Sequence, residues 1–335
     1  MAISVIISNF NGLKFLPRLL DTLMAQQDVI TELIVVDRQS SDGSLEYLRQ
    51  FPDIRIVTEP ASTGLVAGYA AGAAVARSEH LFFCNEDMWF DPMCLSLLEQ
   101  RINLAEGVIA ADPWQWTYDG QAWIHGGVRF YRRHWDSNSP YPPRGVDFTV
   151  SLAAGERVPF PCAGAFLIHC SAYREIGGWD TSFFLDHEDV DLFLRAWQRG
   201  WHCVTVPAAK VYHAVNASNS KALENGRRVL PRRYIANRSN LAVIGLKYYS
   251  GTNRLLAWCA LLVPIVGDLL RFRWKKLSLD IQAILVTIRR LGDVREFRNR
   301  NRKWSAAKPG QGFFLQDDLT HSCVNETRVT QAGQL

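Results

Sequence analysis

The chain has 335 residues, 48% of them hydrophobic, which is enough to bury one large core or one core with a small appendage. Its seven cysteines include no CxxC pair and no regular spacing, so they argue against a disulfide framework or a zinc site and are typical of a reducing compartment. No basic segment or small-residue cleavage site accompanies the apolar residues 3–7, which predict a first strand and not a signal peptide.

Charge is distributed unevenly along the chain. The net charge is +4, yet residues 226–304 hold 18 Lys and Arg against 4 Asp and Glu, and the remaining residues hold 19 against 29. An acidic body followed by a basic segment indicates that the segment meets an anionic partner. A solvated, charged helix face is the alternative.

Strand and helix patterns alternate through the first 111 residues. Short apolar runs rich in β-branched residues predict strands, and the runs between them keep one apolar face, as at Leu13, Leu16 and Leu20. This alternation predicts an α/β fold with a mostly parallel sheet, whose ligands bind at the carboxyl ends of the strands. The predicted strands are residues 3–7, 33–36, 54–57, 81–84 and 108–111.

The next stretch, residues 112–160, breaks this alternation. It is rich in Trp, Tyr, Pro and Gly and has no helical period, which predicts a long irregular or β-hairpin excursion of the kind that is usually functional. Regular structure then returns as a strand over 165–169, a short helix over 172–176 and a helix that starts near Glu188.

After Arg227 the chain becomes basic and apolar. Residues 255–267 are nearly uncharged but too short to predict a membrane-spanning helix. Apolar residues between 277 and 291 follow a 3–4 spacing with arginines close behind, which predicts a basic amphipathic helix on an anionic membrane surface. Packing against the body alone is the alternative. Composition thus divides the chain into a body at 1–226, a membrane-associating segment at 227–304 and a flexible C-terminal tail at 305–335.

Two aspartates follow the second predicted strand. Asp37 ends the strand at the ligand edge of the sheet, where its carboxylate can accept hydrogen bonds from the base or ribose of a nucleotide. Asp42 lies in the following turn near a helix start, where a capping or turn role is the alternative to ligand binding.

Acidic residues also follow the fourth predicted strand. In Asn85-Glu86-Asp87, side-chain oxygens can hold a hard cation such as Mg²⁺ or Mn²⁺, with the diphosphate of a nucleotide completing the coordination. Such a metal neutralises the charge that develops on a leaving diphosphate. Acidic loops after strands are also common without a metal.

The most specific pattern lies between residues 177 and 191. A GGWD turn and two phenylalanines precede three carboxylates at a predicted helix start, Glu188, Asp189 and Asp191. The helix macrodipole accounts for one or two of these acids, but not for the turn and the aromatic pair. A carboxylate in an aromatic pocket can act as a general base. His213, which follows a strand predicted to end near residue 206, is by itself an ordinary partly buried histidine.

Together these motifs resemble those of inverting family 2 glycosyltransferases, and most closely the bacterial branch that includes rhamnosyl- and galactofuranosyltransferases of cell-surface polysaccharides. The resemblance covers about residues 3–215. Six segments carry it, in the order found in that family: SVIISNFNG, ELIVVDRQSSDGS, STGLVAGYAAGAAVA, FFCNED, GAFLIHCSAYREIGGWDTSFFLDHEDVDLFLRAWQRGW and VYHA.

The resemblance implies a GT-A nucleotide-diphospho-sugar transferase fold and metal-dependent, inverting transfer of rhamnose, galactofuranose or a hexose. The donor would be a dTDP- or UDP-linked sugar, and the acceptor a hydroxyl of a glycan or a lipid-linked saccharide in cell-surface polysaccharide or lipopolysaccharide biosynthesis. The enzyme would work in the cytoplasm, at the inner face of the cytoplasmic membrane, with Mg²⁺ or Mn²⁺ as cofactor and without a nucleic-acid partner.

The resemblance also implies roles for individual residues. Asp189 would be the catalytic base, supported by Glu188 and Asp191. The implied metal ligands are Asp87, Asn85 and His213. The residues implied for donor binding are Ser8, Asn9, Asp37, Asp42, Gly64, Asn85 and Glu86. Those implied for acceptor binding are Gly164, Trp179 and Asp180. Arg38 departs from the pattern, because the family usually has asparagine after the strand-end aspartate.

Three other functions match the sequence less well. A dinucleotide-dependent oxidoreductase needs G-x-G-x-x-G at the first strand–helix turn, which here reads SNFNG. The glycines of GLVAGYAAG instead open the third helix, where close packing of helix and sheet explains them. A non-catalytic sugar- or polymer-binding scaffold leaves the acids at 188–191 unexplained. For nucleic-acid binding, the basic segment lacks a recognisable RNA or DNA module.

Overall fold

The structure of the protein is a computed structural model that describes residues 2–130, 146–147, 152–162, 164–215, 231–248 and 254–302. The strands are β1 (Ile3–Asn9), β2 (Ile30–Asp37), β3 (Ile54–Thr58), β4 (His80–Asn85), β5 (Met88–Phe90), β6 (Val108–Thr117), β7 (Trp123–His125), β8 (Arg129–Phe130), β9 (Val146–Asp147), β10 (Arg157–Val158), β11 (Ala165–His169) and β12 (His202–His213). The helices are α1 (Leu16–Met24), α2 (Ser44–Leu48), α3 (Gly64–Val75), α4 (Cys94–Glu99), α5 (Cys170–Glu175), α6 (Glu188–Trp197), α7 (Pro231–Tyr248), α8 (Arg254–Leu270), α9 (Trp274–Arg289) and α10 (Leu291–Arg300).

The central sheet has ten strands, eight of them in the order β10-β12-β6-β11-β4-β1-β2-β3, with β5 paired to β12 and β7 to β6. Strands β1 to β4 run parallel, and β12 is parallel to β6. Strand β11 is antiparallel to both β4 and β6. The sheet is therefore mixed, and the prediction of a mostly parallel sheet is wrong. Two strands that run antiparallel can be joined without the crossover that a parallel return needs.

The strands predicted in the first 111 residues are all present, and most extend further than predicted. The excursion predicted over 112–160 begins as a β-hairpin, since β6 continues to Thr117 and pairs antiparallel with β7. Residues 131–145 of this excursion lie outside the described residues, as does the tail predicted at 305–335. The helix predicted to start near Glu188 begins at that residue.

Apolar side chains cover both faces of the sheet. Successive residues of β1 point to opposite faces, so Val5 and Ile7 pack with α1 and α4, whereas Ile6 packs with α3 and α6. A sheet buried on both faces exposes only its edges and strand ends to ligands. The polar residues at the carboxyl ends of the strands are therefore the natural binding edge.

Helix α3 approaches the sheet closely because glycine occupies its inner face. A Cβ atom at Gly68 would lie 2.4 Å from Ser8 Oγ, and one at Gly72 would lie 2.4 Å from Ile6 Cγ2. Close helix–sheet packing therefore explains these glycines, as the sequence predicted. It also holds Tyr69, fully buried, at the carboxyl edge of the sheet.

The C-terminal helices pack onto the body. Ile244 and Leu246 of α7 are buried in the same apolar cluster as Phe83 of β4. Helices α8 and α9 pack on α7 through Leu261 and Ala283. Packing on the body, one of the two alternatives for this segment, thus holds for α7, while α8 and α9 keep exposed apolar side chains. Among the described helices, none has the length and hydropathy needed to cross a membrane.

Candidate functional site

Polar residues gather at the carboxyl ends of β1, β2 and β4. The three strands are in parallel register, with Asn9 opposite Asp37 and Ser8 opposite Asn85. Because these strands end at the same edge, the residues that follow them, such as Asp87, lie in the same neighbourhood. The two acidic motifs predicted from the first half of the sequence therefore share one edge of the sheet.

The Asp37 carboxylate is fully buried at this edge. Its Oδ2 accepts a hydrogen bond from Asn9 Nδ2 at 2.8 Å, and its Oδ1 accepts one from the Ser40 backbone N–H at 3.0 Å. The Oδ1 of Asn9 has no hydrogen-bond partner within the described ranges. Asp37 and Asn9 thus form a fixed polar pair with one buried oxygen left unsatisfied.

Asp42 is bonded within its own loop. Its carboxylate accepts hydrogen bonds from the backbone N–H of Leu13 at 2.9 Å and of Ser44 at 3.0 Å. These bonds join the loop after β2 to the loop after β1. The turn role considered for Asp42 is therefore visible in the structure, and its hydrogen bonds within the described residues are to Leu13 and Ser44 and not to the other acids.

Asp87 lies beside His213. The Nε2 atom of His213 is 3.2 Å from Oδ1 of Asp87, and its Nδ1 is 3.1 Å from Oε1 of Gln115. Since a carbonyl oxygen only accepts, the contact with Gln115 assigns the proton of the neutral ring to Nδ1. Nε2 of His213 faces a carboxylate oxygen of Asp87, and a proton or a cation can lie between the two atoms.

Strand β12 carries His213 to this position. The predicted strand end near Val206 is wrong, because the strand continues after a register shift between Val206 and Lys210, where Pro207 cannot donate to the ladder. Its last residue pairs with Met88 of β5. The backbone N–H of Ala214 also donates to the Asp87 carbonyl at 3.0 Å.

The donor atoms of Asp87 and His213 are spaced like two neighbouring ligands of a divalent cation. Neighbouring ligands of an octahedral Mg²⁺ at about 2.1 Å stand about 3 Å apart, close to the 3.2 Å between their donor atoms. Asn85 is already engaged, because its Oδ1 accepts a hydrogen bond from the Tyr69 hydroxyl at 2.7 Å. In the part of the chain that the structure describes, no group of three or more His, Cys, Asp and Glu side chains is arranged to hold a metal.

A cavity of about 240 Å³ opens beside these residues. Burial raises the pKa of Glu86 to about 7, the charge of Asp87 adds to the shift, and the Arg38 guanidinium opposes it. The cavity combines these acids with a second guanidinium from α7, which sequence reasoning missed. Its lining residues are Arg38, Leu65, Asn85, Glu86, Asp87, Phe184, Leu185, His213, Val215 and Arg233.

Two glycines allow close approach around the cavity. Gly64 has a φ of +87°, and a Cβ atom there would lie 2.5 Å from Phe184. A Cβ atom at Gly164 would lie 2.5 Å from Met88 Cε and 3.5 Å from His213 Cε1. Gly64 thus lets the start of α3 touch the loop before α6, and Gly164 lets the start of β11 reach the His213 ring.

Glu188 and Asp189 begin α6 in different environments. Glu188 is buried, and its Oε2 has no hydrogen-bond partner among the residues described. Burial raises the pKa of Glu188 to about 8, and the charge of Asp189 adds to the shift. Asp189 is half-buried, and its Oδ1 accepts a hydrogen bond from the Val190 backbone N–H at 2.7 Å.

Tyr69 links the two acidic stretches. Its buried ring stacks on Trp179, with the ring centroids 5.6 Å apart. Burial raises the pKa of the Tyr69 hydroxyl well above its usual value, and the charges of Glu86, Glu188 and Asp87 add to the shift. The Tyr69 hydroxyl therefore lies in the electric field of acids that follow β4 and of an acid at the start of α6.

The charge of Asp189 acts on the Cys162 thiol, which lies near Gln115 on the His213 side of the site. Burial raises the pKa of the Cys162 thiol to about 12, and the charges of Asp112 and Asp189 contribute, while a hydrogen bond with Gln115 opposes the shift. Gln115 also contacts His213. The described contacts join Gln115 and His213 to Asp87, whereas Asp189 is not among the residues that line the cavity beside Asp87 and His213.

Asp191 faces the C-terminal helices. Its Oδ1 is 2.7 Å from Nζ of Lys247, which is also 2.6 Å from Oδ2 of Asp180. Arg195 binds the other oxygen of Asp191 at 2.9 Å. Burial by itself would raise the pKa of Asp180, but the Lys247 ammonium holds this pKa well below its usual range. These four residues, here called the Lys247 cluster, join the GGWD turn, α6 and α7.

Comparison with known proteins identifies a family. A sequence model of Glycosyl transferase family 2 matches residues 4–177, just over half of the chain, and one of Glycosyl transferase family group 2 matches residues 144–290. Polypeptide N-acetylgalactosaminyltransferase 3 of Mus musculus is 24% identical over 227 residues, 62% of this chain and 35% of that protein. N-acetylglucosaminyl-diphospho-decaprenol L-rhamnosyltransferase of Mycobacterium tuberculosis is 25% identical over 226 residues, 59% of this chain and 71% of that protein.

Solved structures share the fold. TarS 1-349 of S. aureus in complex with UDP-GlcNAc has a TM-score of 0.54 at 13% identity, covering 91% of this chain and 89% of that chain. GalNAc-T7 with UDP, GalNAc and Mn²⁺ has a TM-score of 0.53 at 19% identity, covering 64% of this chain and 44% of that chain. The chain spans less than half of GalNAc-T7 and about a third of the mouse relative.

Glu188→Gln tests the buried acid at the start of α6. Because the folded-state pKa of about 8 lies above the ordinary 4.5, the folded protein holds a proton that the unfolded chain has lost between those pH values. Wild-type stability should therefore fall as pH rises through this window, by up to about 1.4 kcal/mol per pH unit.

The variant lacks this ionisation, so its melting temperature relative to wild type should increase from pH 5 to pH 8.5. Differential scanning fluorimetry measures the difference, with the exposed Glu46→Gln as control. A difference that does not change with pH contradicts the assigned environment of Glu188.

Proposed function

The chain belongs to glycosyl transferase family 2 and has the GT-A fold, and from this premise we propose that it transfers a sugar with inversion from a nucleoside diphosphate donor to an acceptor hydroxyl. The donor is a UDP- or dTDP-linked rhamnose, galactofuranose or hexose. The acceptor is a glycan or lipid-linked saccharide of cell-surface polysaccharide or lipopolysaccharide synthesis. The mycobacterial L-rhamnosyltransferase among the relatives and the UDP-GlcNAc complex among the structural neighbours support this choice.

The observation that carries the proposal is the cavity at the carboxyl edge of the sheet. It brings the acids that follow β4 together with the Arg38 guanidinium and His213. The Arg233 guanidinium also lines it but is paired with Asp186 at 3.0 Å. A nucleoside diphosphate is an anion with a polar head, so it needs cationic groups beside the phosphates and fixed acceptors beside the base. Arg38 in the cavity offers the first, and the buried polar pair of Asp37 and Asn9 at the same edge of the sheet offers the second.

The donor's nucleoside is proposed to lie at Asp37 and Asn9. These side chains are rigidly paired, and the unsatisfied oxygen of Asn9 can accept a hydrogen bond from a base or ribose. Arg38, which replaces the asparagine usual in the family, stands directly after Asp37 and lines the cavity. Its guanidinium suits a phosphate oxygen better than an amide does, so this substitution favours a diphosphate there.

Asp87 and His213 are proposed to hold the divalent metal. When bound, Mg²⁺ or Mn²⁺ supplies positive charge that stabilises the leaving diphosphate. The two protein ligands leave room for phosphate oxygens and water, as is usual for Mg²⁺ sites. GalNAc-T7, a neighbour with the same fold, was crystallised with UDP and Mn²⁺. Gln115 orients the His213 ring through Nδ1.

Asp189 is proposed as the general base. It takes the proton of the acceptor hydroxyl while the hydroxyl oxygen attacks the anomeric carbon. The new C–O bond forms opposite the bond to the diphosphate, which leaves with the bonding electron pair, so the anomeric configuration inverts. Glu188 holds its own proton at neutral pH because its pKa is about 8.

His213→Ala tests the metal ligands through binding and not through activity. With Mn²⁺ present, the variant should bind UDP at least about tenfold more weakly than wild type, because one ligand of the cation is lost. With EDTA the two proteins should bind UDP equally. Isothermal titration calorimetry measures both, and His169→Ala at the opposite edge of the sheet is the control. Equal UDP affinity of wild type and His213→Ala in Mn²⁺ contradicts the ligand assignment.

Asp189→Asn tests the base. Transfer of labelled sugar from UDP- and dTDP-sugars to acceptors in a lipid and glycan extract should fall by about two orders of magnitude or more. UDP affinity should stay within about twofold, because Asp189 does not line the donor cavity. Asp53→Asn, an exposed aspartate, is the control. Undiminished transfer by the Asp189 variant refutes the role, and no transfer by wild type to any acceptor favours a sugar-binding scaffold.

A further inference from the structure

Exposed apolar side chains are concentrated in the last helices. Of the sixteen large hydrophobic residues that are exposed within the described residues, twelve lie between Leu255 and Leu291. A concentration of this kind marks an interaction surface. The twelve are Leu255, Leu262, Val263, Val266, Leu269, Leu270, Phe272, Trp274, Ile281, Leu285, Ile288 and Leu291.

Helices α8 and α9 each turn one apolar face outward. In α8, Val263 and Val266 are 67% and 58% exposed, whereas Leu261 is buried against α7. In α9, Leu285 is 48% exposed, whereas Ala283 is fully buried. Exposed positions recur every three or four residues, as on one face of an amphipathic helix. The outward faces of α8 and α9 are therefore apolar, whereas the outward face of a solvated helix is polar.

The turn between α8 and α9 alternates cations and aromatic rings. Residues 271–275 read Arg-Phe-Arg-Trp-Lys, and all five are exposed. Phe272 has a φ of +53°, a conformation that is costly for a bulky residue. Its ring lies 6.1 Å from that of Trp274. A strained backbone that holds a phenylalanine ring in water indicates a partner for that ring.

The charge around this surface has one sign. The exposed charged residues between positions 254 and 289 are all basic: Arg254, Arg271, Arg273, Lys275 and Arg289. The two acids of this stretch, Asp268 and Asp280, are buried. Lys276 pairs with Asp268, and the Tyr234 hydroxyl donates to Asp280 at 2.7 Å. Arg273 also lies 3.8 Å from Asp268. The surface thus combines apolar side chains with an excess of positive over negative charge.

We propose that the outward face of α8, residues 271–275 and α9, here called the interfacial face, lies on a membrane of anionic phospholipids. Apolar side chains would enter the interface, aromatic rings would lie at headgroup level, and cations would meet lipid phosphates. At 17 and 16 residues, α8 and α9 are each about 25 Å long. Helices of this length and composition lie along a bilayer surface.

Charge decides between a bilayer and a second copy of this chain. A symmetric dimer through the interfacial face would bring the same cations against themselves, which is unfavourable at an interface. An anionic bilayer supplies both an apolar layer and the opposite charge. The geometry therefore favours lipid.

The interfacial face is firmly joined to the candidate site. Arg290, directly after α9, donates to Ser182 Oγ at 2.9 Å and to Asn240 Oδ1 at 2.6 Å. Ser182 lies in the loop between Asp180 and α6. Binding of the face to a bilayer would therefore also fix the orientation of this loop relative to the membrane. Membrane binding by this face does not depend on the roles proposed for Asp189, Asp87 and His213.

Vesicle co-sedimentation of the full chain tests this surface. Wild type should bind vesicles of phosphatidylcholine with about a third phosphatidylglycerol at least about tenfold more tightly than vesicles of phosphatidylcholine alone, and less tightly at high salt. The variant Phe272→Ser with Trp274→Ser should lose at least about tenfold in affinity. The control, Met93→Ser with Leu104→Ser, removes exposed apolar side chains elsewhere and should bind as wild type does.

Circular dichroism and UDP-induced thermal stabilisation check that each variant is folded. Analytical ultracentrifugation without lipid tests the alternative, a dimer that forms through the interfacial face. If wild type does not bind anionic vesicles, the proposal is wrong. It is also wrong if the Phe272/Trp274 variant binds them as tightly as wild type does. A dimer that the same two substitutions dissociate, without any vesicle binding, would assign the interfacial face to a second copy instead.

Discussion

Lys247 is a buried cation that binds two aspartates from other parts of the chain. Its side chain is 1% exposed and contacts Asp180 of the GGWD turn and Asp191 of α6. Charges at such depth are stable only when they are paired and hydrogen-bonded. The GGWD turn, the first turns of α6 and helix α7 therefore depend on one another, and the C-terminal helices are part of the unit that shapes the site.

This cluster distinguishes acids that are paired with buried cations from acids that are buried with less compensation. Asp180 and Asp191 are neutralised by Lys247 and Arg195. Glu86 and Glu188 are buried with less compensation, so their pKa values rise to about 7 and about 8. Neighbouring acids with different pKa values are the usual basis for dividing acid, base and binding roles within one site. Here the division follows from which acids face the C-terminal cations.

Local patterns predicted much of this architecture. The apolar runs located β1 to β4, and the acids that follow β2 and β4 share the predicted edge because parallel strands end together. The antiparallel β11 could not be predicted from a short apolar run, since strand direction depends on the connection before it. The end of β12 was missed because Pro207 interrupts the pattern but not the strand. Arg195 is recognisable four residues after Asp191, whereas Lys247 is 56 residues away and becomes a partner only through tertiary packing.

Urea unfolding of Lys247→Met tests the central claim most directly. Loss of the buried cation should lower the free energy of unfolding by about 3–5 kcal/mol, because Asp191 keeps its charge with one partner fewer. Adding Asp191→Asn should recover part of that loss, since the two residues are in contact. The exposed Lys275→Met should change stability by less than about 0.5 kcal/mol. If Lys247→Met lowers the free energy of unfolding by no more than Lys275→Met does, the Lys247 cluster does not hold the C-terminal helices to the site.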